Sequence, residues 1–163
     1  MPLEGPPAAL AEAGAIAEAL TAEFRLRGLN GFDFILRDGR PVLIEVNPRY
    51  CASMELFDRA GSLSTFGLHL SACEGRLPPA VSLGGGFWGK AIVYAPARVT
   101  LGETAAWMER GVRDVPHPGE VIPRGQPICT VLAWGPTHAA CTVRLRDQAE
   151  SILSECSLPS CTR

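Results

Sequence analysis

Apolar positions in Ala8–Arg27 recur at Leu10, Ile16, Leu20 and Phe24 among alanines and glutamates. That near-helical spacing, in strong helix formers, predicts one long helix with Gly28 as its C-terminal cap. The pattern then turns to alternation. It predicts strands near 31–36 and 41–47 on either side of Asp38-Gly39, a dipeptide that favours tight hairpins. Residues 51–74 read as helical in pieces, interrupted at Gly61, with Ser62 or Ser64 placed to cap the second piece. Leu77–Gly86 is a connection rich in Pro and Gly, and the prolines Pro2, Pro6 and Pro7 predict a loose start. Beyond the connection, strands are expected at Gly89–Tyr94, Ile128–Trp134 and Ala139–Leu145, then a closing helix over 147–155. Prolines and glycines between Pro96 and Pro127 break the intervening chain into short segments.

The hairpin around Asp38-Gly39 has two candidate registers. A two-residue loop pairs Arg37 with Arg40 and sends Asp33 and Glu45 to opposite faces. A three-residue loop, Arg37-Asp38-Gly39, pairs Leu36 with Arg40 and puts Gly39 in a left-handed bulge. The second gives one wholly apolar face of Phe32, Phe34, Leu36, Val42, Ile44 and Val46. The other face then carries Asp33, Ile35, Leu43, Glu45 and Asn47. Burial favours this register, because a one-residue slip would mix the two sets. Ile44→Asp is then expected to destabilise severely, whereas Glu45→Gln leaves folding intact.

In this register Asp33 and Glu45 are diagonal neighbours with Asn47 one pleat beyond. Close carboxylates repel one another across a sheet. A hard divalent cation, Mg²⁺ or Mn²⁺, offsets that repulsion and takes carboxylate and amide oxygens. The pattern alone leaves a second reading equally open, in which all three are solvated groups on the open side of a half-exposed hairpin.

Composition narrows the field. The 163 residues suit one domain or two small ones. The charge of −2, with no basic cluster, gives no electrostatic footprint for nucleic acid. No apolar run is long enough for a membrane span, and the start lacks the features of a secretory signal, so a cytoplasmic setting is expected. The six cysteines form no C-x-x-C pair and read as reduced thiols rather than a zinc or disulfide framework; Cys156 and Cys161 are read as lying in a polar tail, open to oxidation.

The stretch GLNGFDFILRDGRPVLIEVNPRYCASMELFD, Gly28 to Asp58, resembles the carboxy-terminal part of an ATP-grasp ligase. Strand, turn, acid, E-x-N and Arg fall in the order of that superfamily, and the twelve positions between Asp33 and Glu45 are similar to the biotin carboxylase branch. ASMELF (Ala52 to Phe57) is similar to a methylotroph group of ATP-grasp proteins. The resemblance implies that Asp33, Glu45 and Asn47 bind two Mg²⁺ ions on ATP. It also implies that Arg49 is catalytic, steadying charge near an acyl-phosphate or the acceptor substrate.

The resemblance further implies an α+β fold: an antiparallel sheet with flanking helices, the carboxy-terminal half of an ATP-grasp fold, over residues 1–80. A small β-rich domain follows over 87–155, then a flexible tail over 156–163. The expected activity is carboxylate–amine ligation through an acyl-phosphate, with small-molecule carboxylate and amine substrates. The amino-terminal ATP-binding portion is expected to come from elsewhere, such as a partner chain, in a homo- or hetero-oligomer. The alternative is a non-catalytic scaffold or partner-binding module that keeps the fold.

Other motifs read more plainly. GGGFWGK (Gly84 to Lys90) approaches a phosphate loop, but Ala91 stands where Ser or Thr is needed and a strand pattern follows. Glu55 is read first as a solvated helix residue and His69 as a packed or capping residue. His117 is read as a turn residue, Asp114 as a packing residue, and Trp88, Trp107 and Trp134 as packing aromatics.

Overall fold

The computed structural model describes residues 6–61, 64–77 and 84–157. Ser62, Cys161, most of the Leu77–Gly86 connection and most of the expected tail lie outside them. The chain divides into two compact units, Met1–Gly84 and Gly85–Arg163.

The first unit opens with α1 (Pro7–Phe24), which has Pro at its first position and ends on Arg25 in the left-handed region at φ 50°. The cap therefore falls three residues before the expected Gly28. The helix buries Ala9 and Ala13 and half-buries Ile16, Ala17 and Leu20. Leu10 and Phe24, expected on the inner stripe, are 48% and 63% exposed. Small alanines are the fully buried positions of the helix, and Leu10 and Leu20 share grooves with hairpin residues.

Strands β1 (Gly31–Arg37) and β2 (Arg40–Asn47) pair antiparallel as a two-stranded sheet. The pairing corrects the expected register. Arg37 faces Arg40 across a two-residue turn, with Asp38 and Gly39 both at positive φ, 53° and 76°. That is a type I′ turn, whose twist matches the right-handed twist of the flanking strands. Phe34 faces Leu43 and Asp33 faces Glu45, so Ile44 is an extra residue in a bulge. The bulge restores the phase that the shorter turn would have cost.

Val42 and Leu43 thereby exchange the faces assigned to them. Phe32, Phe34 and Leu36 on β1 lie opposite Val46, Leu43 and Pro41. This is the α1 side, where Leu10 and Ala13 share a groove with Phe32, Phe34 and Leu36. Ile44, expected in the apolar face, is 59% exposed. Arg40 also reaches α1, its Nε and Nη2 donating to Glu12 at 3.2 and 2.6 Å.

After β2 a 3₁₀ turn (Ala52–Met54) leads into α2 (Glu55–Gly61). Helix α3 (Thr65–Cys73) is capped by Ser64, whose side chain accepts the Gly67 N–H at 3.0 Å.

In the second unit, β3 (Phe87–Tyr94) pairs antiparallel with β6 (Pro127–Gly135), and β4 (Val99–Thr100) with β5 (Val121–Ile122). Helix α4 (Ala105–Glu109) carries Trp107, and α5 (His138–Ser157) packs along β3 and β6. The core joins Val93, Trp107, Val131 and Ile152.

The strand expected at Ala139–Leu145 is the start of α5. Cys141, Leu145, Ala149, Ile152 and Cys156 fall on one face at helical spacing and meet the sheet or its core. Val143, which alternation would have buried, is 54% exposed. Thr137 Oγ1 accepts the Ala140 N–H at 3.1 Å as a cap. Cys156 is therefore a buried helix residue, 9% exposed, and not part of a polar tail.

Candidate functional site

The hairpin's open end holds all four candidate residues. Directly opposed residues of an antiparallel pair share a face, and residues two apart share it again. Asp33 opposes Glu45, and Asn47, two positions beyond, opposes Gly31. The two acids are thus closer than the expected diagonal arrangement would make them.

The Asn47 side chain lies between these acids. Its Nδ2 donates to Glu45 Oε1 at 2.7 Å and reaches Asp33 Oδ2 at 3.5 Å. One amide NH₂ therefore faces both carboxylates and partly offsets their repulsion. On its other side, Asn47 Oδ1 accepts from Arg49 Nη2 at 3.2 Å. Arg49 Nη1 also donates to the Tyr50 carbonyl at 3.2 Å, so the guanidinium is held against the site through Asn47. Asp33, Glu45 and Arg49 are exposed and Asn47 is half-buried, so the cluster faces solvent.

This donor set fits a hard cation. It presents carboxylate oxygens from two strands around the position of an amide NH₂, itself the positive end of a dipole. Turning the Asn47 amide by half a turn would present its oxygen there instead, and its nitrogen toward Arg49. The donors are all hard oxygens of the kind Mg²⁺ and Mn²⁺ accept.

The segments on either side of the hairpin are tied to α3. Asp58 on α2 accepts the Thr65 N–H at 2.6 Å and the Thr65 hydroxyl at 2.9 Å. The Tyr50 hydroxyl donates to Asp58 Oδ2 at 3.3 Å. The Thr65 backbone N–H holds the Asp58 carboxyl below its ordinary pKa, against the opposing effect of burial. On the inlet side, His69 Nδ1 accepts the Leu29 N–H at 3.0 Å. Gly28, at φ 73°, leaves no room for a side chain, because a Cβ there would lie 2.5 Å from His69 Cε1.

Tyr50, Asp58 and Thr65 drew no role from the sequence, and Gly28 drew a different one. Only Gly28 carried a signal, and it was read as a helix cap. Ser64, by contrast, was legible from its place ahead of an apolar run.

The remaining motifs sit as ordinary structure. Phe87 begins β3 directly after Gly84-Gly85-Gly86, so a strand follows the glycines of GGGFWGK, whereas a phosphate loop needs a helix N-terminus there. Glu55 opens α2. The His117 N–H donates to Glu120 in a turn, and Asp114 accepts the Thr130 hydroxyl at 2.7 Å. Among the described residues, no helix is long and apolar enough to cross a membrane.

Comparison with known proteins bears on the same region. Residues 7–53 match the ATP-grasp domain. An uncharacterised protein of Methanocaldococcus jannaschii is 27% identical over 112 residues, which is 68% of this chain and 27% of that protein. Among solved structures, the chain is similar to the N5-carboxyaminoimidazole synthase of Aspergillus clavatus, solved with ADP and 5-aminoimidazole ribonucleotide. The TM-score is 0.65 at 17% identity, covering 94% of this chain and 42% of that one. The urea carboxylase of Kluyveromyces lactis gives a TM-score of 0.64 at 15% identity, covering 94% of this chain and 16% of that one. The carboxyaminoimidazole ribonucleotide synthetase of Thermotoga maritima gives 0.60 at 14% identity, covering 94% and 43%. The fold is thus shared with parts of larger proteins.

Proposed function

We propose that this chain, whose residues 7–53 match the ATP-grasp domain, forms the metal-holding, carboxy-terminal portion of a Mg-ATP-dependent carboxylate–amine ligase. The observation that carries this reading is the opposition of Asp33 and Glu45 with Asn47 reaching both. Asp33, Glu45 and Asn47 would hold Mg²⁺ or Mn²⁺, whose charge, when bound, offsets that of the triphosphate.

Each protein group has a distinct part. The two carboxylates bring negative charge to one small volume and orient their oxygens from a hydrogen-bonded scaffold. Asn47 lies between that volume and Arg49, whose hydrogen bond to Oδ1 would be given up when that oxygen turned to the cation. Arg49 places a fixed positive charge beside the acids, where it would steady charge developing on transferred phosphoryl oxygens. In the ligation expected of the superfamily, a substrate carboxylate attacks the γ-phosphorus and ADP departs. The amine then attacks the acyl carbon, phosphate leaves, and the nitrogen loses a proton.

The chain spans about two-fifths of the length of the Aspergillus synthase it resembles, 42%. We assign the nucleotide base, the rest of the triphosphate cradle and the substrate specificity to polypeptide beyond the described residues, whether continuous with this chain or supplied by a partner.

Titration of the chain with Mn²⁺, followed by electron paramagnetic resonance, tests the site. Asp33→Asn and Glu45→Gln should each weaken binding by at least ~10-fold, the scale on which even supporting residues of metal sites act. Unchanged affinity in both variants would refute the assignment.

A further inference from the structure

We infer that α3 is the positioning element of the proposed metal cluster, and that His69 is its positioning residue at the inlet of the hairpin. This rests on the ligase reading above for what the cluster binds, but not for the contacts themselves.

The residues that would grip a cation occupy the open end of β1–β2, away from the turn. Gly31 and Asn47 form the last pair of the ladder. Nothing in a two-stranded ladder fixes the separation of its open end beyond that pair. A bulge between the Asp33–Glu45 and Phe34–Leu43 pairs adds local irregularity next to the acids. The chain entering β1 and the chain leaving β2 therefore need an outside tether if the oxygens are to keep their spacing.

Helix α3 ties both. Two residues before β1, the Leu29 N–H donates to His69 Nδ1 at 3.0 Å. The same imidazole lies against Gly28, where a Cβ would be 2.5 Å from Cε1 and 2.6 Å from Nδ1. Its Nε2 lies 3.7 Å from Cys73 Sγ, one turn along α3. With Nδ1 accepting from Leu29, the neutral ring carries its proton on Nε2, directed at the sulfur. The ring is thus held on three sides.

Three residues after β2, the Tyr50 hydroxyl joins the Asp58 carboxylate, which also takes the N–H and hydroxyl of Thr65 at the first turn of α3. Thr65 is 3% exposed, so the outlet tether is anchored in packed structure. Tyr50 follows Arg49, whose Nη1 donates to the Tyr50 carbonyl at 3.2 Å. One helix of nine residues therefore fixes the entry to the Asp33 strand and the exit from the Asn47–Arg49 segment.

The test is Mn²⁺ binding by the full chain, read by electron paramagnetic resonance beside far-UV circular dichroism. His69→Phe keeps a flat ring but removes the acceptor. It should weaken Mn²⁺ binding by ~10-fold, as loss of an outer-shell support does, while the dichroism spectrum is kept. His69→Asn places an acceptor oxygen near the Nδ1 position and should recover binding to within ~3-fold of the unaltered chain. Recovery by an acceptor, but not by a ring, separates positioning from simple packing.

Tyr50→Phe, which loses only the outlet hydroxyl, should weaken binding by ~3-fold and carries the test if His69→Phe does not fold. Glu45→Gln is the control for the ligase reading. If Glu45→Gln weakens Mn²⁺ binding while the folded His69→Phe and Tyr50→Phe variants do not, the α3 tether is refuted and the metal assignment stands. If Glu45→Gln has no effect, the metal assignment falls with its supporting role for α3.

Discussion

Glu45 opposes Asp33 with only an amide NH₂ between them, so two like charges face each other across the ladder. Glu45→Gln should leave thermal stability unchanged or raise it by up to ~1 kcal/mol, the size of a cross-strand charge effect. A melting curve followed by circular dichroism checks this; a large loss would make the carboxylate structural. One residue away the outcome inverts the sequence expectation. Ile44 is the bulged residue and 59% exposed, so Ile44→Asp should change stability by no more than about 0.5 kcal/mol, as at an ordinary surface position. Gly28→Ala combines a positive φ with a steric conflict against His69 and should cost more than ~1 kcal/mol. Burial pushes the Cys129 thiol up to about 12. The thiolate is the reactive form, so an alkylating reagent at neutral pH should modify Cys129 only after unfolding, as mass mapping would show.

At the scale of elements, the hairpin and α5 show opposite relations between pattern and structure. The alternation in 31–47 located both strands, and the demand for one apolar face brought Asp33 and Glu45 to the same side. The means differ: a tight type I′ turn plus a bulge at Ile44, not a three-residue loop. A local count of alternation cannot place a bulge, because its cost is set by packing against α1. In α5 the segment Cys141-Thr-Val-Arg-Leu alternates well enough to suggest a strand. The longer stripe through Ala149 and Ile152 needs the whole helix in view. Ile152 is 2% exposed within the core beside Trp107 and Val131. Ile152→Ala should cost ~2–5 kcal/mol, read by urea denaturation.

Over the whole molecule, the two units can be followed separately. All three tryptophans, Trp88, Trp107 and Trp134, belong to the second unit, so intrinsic tryptophan fluorescence reports on that unit. There the Trp107 Nε1–H donates to Glu155 at 2.7 Å, and Arg110 donates to both Glu155 oxygens at 2.8 and 2.9 Å. The Arg110 hydrogen bonds, aided by Trp107, hold the Glu155 carboxyl below its ordinary pKa despite burial. A carboxyl depressed by folding stabilises above its unfolded pKa and loses that contribution as pH falls through its folded one. The second unit should therefore weaken progressively below roughly pH 4, near and under the ordinary glutamate value. Glu155→Gln should flatten that part of the profile in denaturation followed by tryptophan fluorescence. The pair is partly exposed, so the effect is modest.

Residue types and their order along the chain sufficed for the helix–hairpin–helix succession, the Asp38-Gly39 turn, and the candidate set Asp33, Glu45, Asn47 and Arg49. The elements and the turn follow from short-range rules, alternation and turn chemistry, whereas the candidate set rests on the resemblance of the hairpin motif to the ATP-grasp pattern. Tertiary structure decided the register, the face given to Ile44, the choice of Ala9 and Ala13 as the fully buried positions of α1, and the hydrogen bonds from α3 to both sides of the hairpin's open end. Each of these depends on residues far apart in sequence competing for the same space, as Gly28 and His69 do. That competition is settled by packing and hydrogen-bond geometry, which no local pattern records.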